Sequence, residues 1–278
     1  GGQEKWATGL DIAVLRGHGV ISGQRTVTVD NGGQCQTVRA RLAVIVATGS
    51  TDGVTTFPGW TLPGILLTQT AQTEVSRWRK RPGSRALVVG AGDEALIVAM
   101  NLRDACVEVV AVVSVEPELT AMPNMLRDAR SSGIRLMPGY VVLDATGSDE
   151  VENVTIESVD RRNESSAEVL AVDCVVLATG RASEFRVASL LGVKTAYEHD
   201  LGGWVPAVDE LFRTSDRRVL MAGDASGIEN GAVAIAQGRL AGLRAAEALG
   251  MCHADAAALA AEATGMIAER RVGRRGEA

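Results

Sequence analysis

The sequence predicts an α/β protein made of two related nucleotide-binding-type domains, the second inserted into the first. Three observations predict it. A series of strand-like runs that ends in an apolar strand and then Ala-Thr-Gly occurs twice, over residues 11–49 and 134–180, and an internal repeat of that size marks a repeated folding unit. Between the two copies, residues 86–115 read as strand, glycine turn, helix and strand, the context in which a Gly-x-Gly-x-x-Ala turn holds a dinucleotide. Near the carboxyl end a short apolar strand stops at Gly223-Asp224 and feeds a long Ala-rich helix, and open α/β sheets bind ligands at such strand ends. The expected architecture is two Rossmann-like dinucleotide-binding domains, three-layered, each a parallel sheet plus a β-meander. Residues 1–79 and 183–278 form the first and 80–182 the insert.

Composition agrees and excludes other classes. The chain has 278 residues, 46% hydrophobic and 22% charged, with 31 Gly, which is ordinary for a large α/β protein. A net charge of −6 gives no electrostatic footprint for nucleic acid or an anionic membrane. The one basic cluster, RRVGRRGEA at 270–278, reads as a solvated, frayed end. Cys35, Cys106, Cys174 and Cys252 are scattered, which argues against a disulfide framework, a zinc site or an iron–sulfur cluster. Cys106 and Cys174 lie beside apolar runs and are expected in the core; Cys252 and His253 are read as incidental. No apolar run reaches the length of a membrane span, and a reducing, cytoplasmic location is expected.

In chain order, DIAVL, HGVIS, RTVTVD, QCQTVRA and LAVIVA form the first meander, with Asp30-Asn31-Gly32-Gly33 as a hairpin turn. The last of these runs into Ala47-Thr48-Gly49. PGWTLPG at 58–64 is a linker by composition, residues 67–79 look helical, and Arg81-Pro82-Gly83-Ser84 marks a boundary. In the turn after the strand at 86–89, Gly90 permits a tight bend, Gly92 lets a pyrophosphate approach the backbone, and Ala95 stands where helix meets sheet. Asp93 and Glu94 suit the helix dipole but repel a phosphate. Ser114 occupies the place where an acidic residue often receives ribose hydroxyls; Glu116 either serves instead or is a solvated loop carboxylate. A helix ends at 127–132 with Gly133 as its cap. IRLMPG, YVVLDATG, VENVTIESV and AEVLAVD form a second meander that closes in the strand at 174–178 and a second Ala-Thr-Gly ending at Gly180.

At the carboxyl-terminal turn, Asp224 and Ser226 either cap a helix or meet a ligand. Along the helix Ala234, Gly238, Gly242 and Ala245 recur at three- or four-residue steps, leaving one face almost without bulk. Its amino terminus, with free N–H groups and the positive dipole end, points at the end of the strand that carries Asp224.

TSDRRVLMAGD with its small-residue helix resembles the second flavin-binding motif of the pyridine nucleotide-disulfide oxidoreductase superfamily. The resemblance implies that Asp224 of the Gly223-Asp224 pair hydrogen-bonds the ribityl chain of FAD. It implies too that the helix start at Asn230, Gly231 and Ala232 faces the flavin pyrimidine edge, and that the Thr48-Gly49 backbone passes close to FAD. For the insert it implies NAD(P) or another adenine nucleotide, with Gly90, Gly92, Asp93, Glu94, Glu116 and Gly180 as candidate neighbours.

The family's first domain opens with its own strand–GxGxxG–helix unit, and none precedes the first meander here, so an amino-terminally truncated fragment is expected. Residues 80–182 hold only Cys106 and Cys174, without the CxxC of thioredoxin reductases. One helix after Leu249 does not supply the dimerisation domain of glutathione-reductase types. ATGSTDGVTTFPGW, PGSRALVVGAGDEA and LMAGDASGIENGAVAIAQGRLAG are similar instead to opine oxidase A-type subunits, the B subunit of hydrogen cyanide synthase, α subunits of dye-linked proline or hydroxyproline dehydrogenases, and heterotetrameric sarcosine oxidase. Many of these carry a cysteine-rich iron–sulfur segment, which the scattered cysteines here do not supply. The resemblance implies an FAD-dependent oxidoreductase subunit passing electrons while a partner flavoprotein subunit oxidises an amino acid, imino acid or opine. The alternatives are a stand-alone NAD(P)H:acceptor reductase and a non-catalytic nucleotide-binding scaffold. His18, His199 and His253 are isolated, and no catalytic residue and no metal ligand are assigned.

Overall fold

A computed structural model describes residues 7, 12–23, 25–41, 43–160, 167–210, 212–251 and 253–275. The chain divides into two compact units, Gly1–Ser50 with Ser183–Ala278, and Thr51–Ala182.

The first segment forms an antiparallel meander, β1 (His18–Gly23), β2 (Thr26–Asn31) and β3 (Gln34–Arg39). Gly32 and Gly33 take φ of 64° and 98° at its hairpin, where an L side chain is strained, and Gly33 N–H donates to Asp30 Oδ1 at 2.8 Å. The meander starts later than expected: residues 12–15, within the DIAVL run, form no strand and lie exposed. The apolar run ends in β4 (Val44–Val46).

The chain passes into the second unit at β5 (Ser50–Asp52) and leaves it at β14 (Arg181–Ser183). Between them run β6 (Ile65–Leu67), α1 (Thr68–Ser76), β7 (Arg85–Val89), α2 (Asp93–Asp104), β8 (Glu108–Ser114), α3 (Pro123–Ser131), β9 (Leu136–Pro138), β10 (Tyr140–Thr146), β11 (Asn153–Ser158), β12 (Glu168–Ala171) and β13 (Cys174–Leu177). The parallel sheet has the order β6-β13-β7-β8-β9, and β10-β11-β12 form a separate antiparallel sheet. The strands alternate between two cores. Ala86, Val88 and Val112 pack with Ala95, Leu96, Ala99 and Leu102 of α2, while Leu87, Val89 and Val113 pack with Val142, Val154 and Ile156 of the meander. Burial on both faces is why these strands read as unbroken apolar runs. Helices, parallel sheet and meander make the three layers expected.

Two boundaries differ from expectation. IRLMPG reads in sequence as part of the meander, yet β9 is the fifth parallel strand, with Val112 opposite Leu136, because α3 supplies the crossover a parallel neighbour needs. Sequence places the start of the insert at residue 80, yet β6 already pairs with β13, Val175 opposite Ile65. The strand and helix before the Pro-Gly turn therefore belong to the second unit.

The chain returns through α4 (Arg186–Leu190), β15 (Thr195–Glu198), β16 (Gly203–Pro206) and β17 (Val219–Met221), then α5 (Gly231–Ala248) and α6 (Ala256–Arg275). β17 lies parallel to β4, Val219 opposite Val44 and Met221 opposite Val46. Val233, Ala236 and Leu240 of α5 pack with Phe212 and with Ala263 and Ile267 of α6. Among the described residues no helix is long and apolar enough to cross a membrane.

Candidate functional site

In the first unit, the carboxyl ends of β4 and β17 bring two distant segments together. β17 is buried throughout and ends in a turn of 3-10 helix, Gly223–Ser226. Gly223 has φ 69°, a conformation that favours glycine. It delivers Asp224, half-buried, whose Oδ2 accepts a hydrogen bond from Ser50 Oγ at 3.0 Å. Ser50 follows Thr48-Gly49 at the end of β4, so both segments implied for FAD meet at one strand end. Gly49 has φ 78°, and no heavy atom stands within 4 Å of where a Cβ would be.

The helix start completes the arrangement. Asn230 caps α5, its Oδ1 accepting from Val233 N–H at 3.0 Å, so that oxygen is committed to the helix and not to a ligand. The N–H groups of Gly231 and Ala232 lie in the first turn and have no intrahelical acceptor. Gly231 is exposed with open space around it. A carboxylate that can accept from sugar-alcohol hydroxyls, an open glycine backbone and the free N–H groups of a helix amino terminus fit the ribityl and flavin part of an FAD. The small-residue stripe is not packed away: Gly238 and Gly242 are exposed, with nothing within 4 Å of a Cβ.

Behind the turn lies a buried polar chain that sequence reasoning missed. Gly223 N–H donates to Gln237 Oε1 at 2.8 Å. The Ser226 hydroxyl lies 2.8 Å from the Gly223 carbonyl and 3.1 Å from Gln237 Oε1. Gln237 Nε2 donates to Glu229 Oε2 at 2.7 Å. Arg271 closes the chain from α6, with Nε on Glu229 Oε1 at 2.9 Å and Nη2 on Oε2 at 3.0 Å, a bidentate pair. That bond raises the Arg271 pKa further, against the lowering effect of burial. Arg271 therefore does not belong to a merely frayed basic tail. The signal for Gln237 was present: it sits four residues from both Val233 and Ala241, on the core face of α5.

The two Ala-Thr-Gly turns are bonded alike. In the first unit Thr48 Oγ1 donates to the Glu184 carbonyl at 3.3 Å, and Glu184 N–H donates to the Gly49 carbonyl at 3.0 Å. In the second, Thr179 Oγ1 donates to the Gly53 carbonyl at 3.1 Å, and Gly53 N–H to the Gly180 carbonyl at 2.7 Å. Gly53 lies four residues past Gly49, and Glu184 four past Gly180. The repeat seen in sequence is thus a repeat of hydrogen bonding.

In the second unit, a Cβ on Gly90 would stand 2.1 Å from the Ala178 carbonyl oxygen and 3.1 Å from Ala95 Cβ, so strand, turn and helix touch there. Gly92 has only Thr120 Oγ1 near, at 3.8 Å. Asp93 Oδ1 accepts from Met122 N–H at 2.6 Å, and Thr120 N–H donates to the Ala91 carbonyl at 2.9 Å. The segment after β8 is thereby fastened to the glycine turn at two points, and one Asp93 oxygen is used in doing so. Glu94 is half-buried in the first turn of α2, and Glu116 is exposed beyond β8.

The cysteines divide differently from expectation. Cys174 is buried, but Cys106 is exposed, with φ 62° in the turn that ends α2. Cys252 lies outside the described residues. His18, His199 and His253 are exposed. Among the described residues no cluster of His, Cys, Asp and Glu could hold a metal ion.

Known proteins resemble this chain in sequence and in fold. Hydrogen cyanide synthase subunit HcnB of Pseudomonas aeruginosa is 27% identical over 241 residues, 80% of this chain and 51% of that protein. The opine oxidase A-type subunit of Rhizobium meliloti is 26% identical over 256 residues, 86% of this chain and 48% of that one. The chain spans about half the length of the curated relatives it matches. The structure of an NAD-dependent persulfide reductase from A. fulgidus superimposes with a TM-score of 0.69 at 22% identity, covering 87% of this chain and 46% of that one, a likeness of fold. Residues 6–238 match the pyridine nucleotide-disulphide oxidoreductase family. The chain therefore belongs to that family of FAD-binding oxidoreductases, in which NAD(P) is also used.

Proposed function

We propose that this chain is the FAD-binding part of an oxidoreductase subunit that passes electrons during oxidation of an amino acid, imino acid or opine, with substrate oxidation on a partner flavoprotein subunit. The hydrogen bond of Ser50 to Asp224, on the turn that leads into the capped amino terminus of α5, carries the flavin assignment. The subunit role and substrate class draw support from the relatives, which are subunits of hydrogen cyanide synthase and of opine oxidase.

Bound FAD supplies a two-electron acceptor that returns electrons singly or in pairs. The chain's own residues bind and polarise it. Asp224, steadied by the Ser50 hydroxyl, offers its carboxylate to ribityl hydroxyls. The first-turn N–H groups of Gly231 and Ala232, at the positive end of an 18-residue helix, favour negative charge on the flavin pyrimidine edge. Thr48 and Gly49 present open backbone to the same ligand.

The test is FAD titration of the full-length protein and its Asp224→Ala variant. Loss of a hydrogen bond to a charged group costs about 1.5–3 kcal/mol, so binding at least about tenfold weaker is expected. Unchanged affinity would remove Asp224 from the site. A colourless, folded wild-type protein would sink the flavin assignment altogether.

A second reading assigns the insert a nucleotide-binding fold without nucleotide use. Support for it comes from Asp93, committed to Met122, and from the acidic start of α2. Under that reading millimolar NADH leaves the flavin oxidised in the absence of air. Rapid bleaching would favour a stand-alone NAD(P)H:acceptor reductase instead.

A further inference from the structure

We infer that Gln237 is a positioning residue for the flavin-side turn, and that the Glu229–Arg271 ion pair fixes its amide in the only orientation that can hold that turn. The inference rests on the FAD assignment above. Gln237 is 1% exposed, and its side chain ends on the backbone of Gly223, the residue immediately before Asp224. Gly223 is held at both polar groups, its N–H by Gln237 and its carbonyl by the Ser226 hydroxyl. The turn from which Asp224 projects is therefore tied to α5 through the Gly223 N–H and closed on itself by Ser226.

Orientation follows from donor chemistry. Gly223 N–H can only donate and must face Oε1; the Glu229 carboxylate only accepts and must face Nε2. A flipped amide would set two donors against each other at one end and two acceptors at the other. Glu229, with a side chain 6% exposed, is held by Arg271. The chain thus runs from α6 to the flavin side as Arg271, Glu229, Gln237, Gly223. A leucine at 237 would fill the space but leave the Gly223 N–H buried without its acceptor.

The experiment compares full-length wild-type protein with Gln237→Leu, Gln237→Glu and the exchanged pair Gln237→Glu/Glu229→Gln. It measures FAD dissociation constant, the visible spectrum of bound flavin and melting temperature. In Gln237→Glu two carboxylates would meet at the 2.7 Å contact that Nε2 now makes, whereas the exchanged pair restores an acceptor toward Gly223 and a donor between residues 229 and 237, at the cost of the bond that Glu229 Oε2 now accepts from Arg271 Nη2. Both single variants are expected to bind FAD about tenfold or more weakly with a displaced flavin band. The exchanged pair should bind FAD more tightly than Gln237→Glu while staying weaker than wild type, because it gives up the Arg271 ion pair. FAD bound by Gln237→Leu with wild-type affinity and spectrum, whatever its melting temperature, would reduce Gln237 to a core residue and overturn the inference alone. An exchanged pair that folds but stays as weak as Gln237→Glu would overturn the orientation argument. Absence of FAD from wild-type protein would overturn the flavin assignment and this inference with it. If Gln237→Leu fails to fold, Arg271→Met, at a half-exposed position, carries the test: weaker FAD binding supports the chain, and unchanged binding overturns its α6 end.

Discussion

Cys106 occupies a place that glycine fills in the neighbouring helix. At the end of α3, Gly133 N–H bonds the Arg130 carbonyl and Ile134 N–H the Ala129 carbonyl, the paired bonds of a left-handed helix cap. At the end of α2, Cys106 and Val107 make the same bonds to Arg103 and Leu102, but with a side chain at φ 62°. A left-handed L residue costs about 1–2 kcal/mol, partly offset by the entropy a glycine would lose. Cys106→Gly is therefore expected to stabilise the protein by about 0.5–1 kcal/mol, read from a higher urea midpoint. Cys174 is the opposite case: burial, with Asp173 and Glu74 adding to it, pushes its thiol up to about 12. At pH 8 a thiol reagent should modify Cys35 and Cys106 in the native protein and reach Cys174 only after denaturant, as peptide mapping would show.

At the scale of elements, the approaches to both glycine turns can be tested. The β17 strand is entered through Asp216, which accepts from Arg218 N–H at 2.9 Å and from the Arg218 guanidinium at 2.6 and 2.8 Å. Those bonds, the side-chain ones foremost, lower the Asp216 pKa to about 2. Between that value and the ordinary one of about 3.8, the unfolded chain binds more protons than the folded one, so this contribution grows with pH. It is complete above about pH 4 and is lost as pH falls towards 2. Asp216→Asn should flatten that part of the stability–pH curve measured by urea unfolding; the pair is substantially exposed, so the effect is modest. In the insert, Gly90→Ala would drive a Cβ into the Ala178 carbonyl and should cost about 1–3 kcal/mol. Gly92→Ala meets only Thr120 Oγ1 at 3.8 Å and should be within about 0.5 kcal/mol of wild type. A Gly92→Ala protein that is equally stable but loses NADH binding would mark that backbone as a ligand surface.

For the whole molecule, what could be read from sequence was whatever glycine or short-range periodicity encodes. The Gly223-Asp224 turn, both Ala-Thr-Gly turns and the strand–turn–helix at residues 86–104 are local, and all were legible. Ser50 was not, because its partner Asp224 lies 174 residues away. Gln237 was half legible: one polar side chain on an apolar face signals a buried partner without saying which. The start of the insert was misplaced because the Pro-Gly pair at 82–83 reports a turn, whereas membership of a sheet depends on β6 finding β13. The same distinction moved β9 from the meander to the parallel sheet.

The double passage of the chain between its units has a consequence in time. Thr51–Ala182 is one uninterrupted stretch, so during synthesis it can reach its final hydrogen bonds, including Thr179 with Gly53, as soon as it has emerged. The earlier part of the first unit, through residue 50, is made ahead of that stretch but cannot finish. β4 waits for β17, and Ser50 waits for Asp224, until more than a hundred intervening residues have been translated. At about 5–20 residues per second, β4 and Ser50 stand without those partners for many seconds. Val44 and Val46, which pack with Val219 and Met221 in the finished unit, are uncovered over that interval. For that interval the earlier part of the first unit depends on protection from other chains.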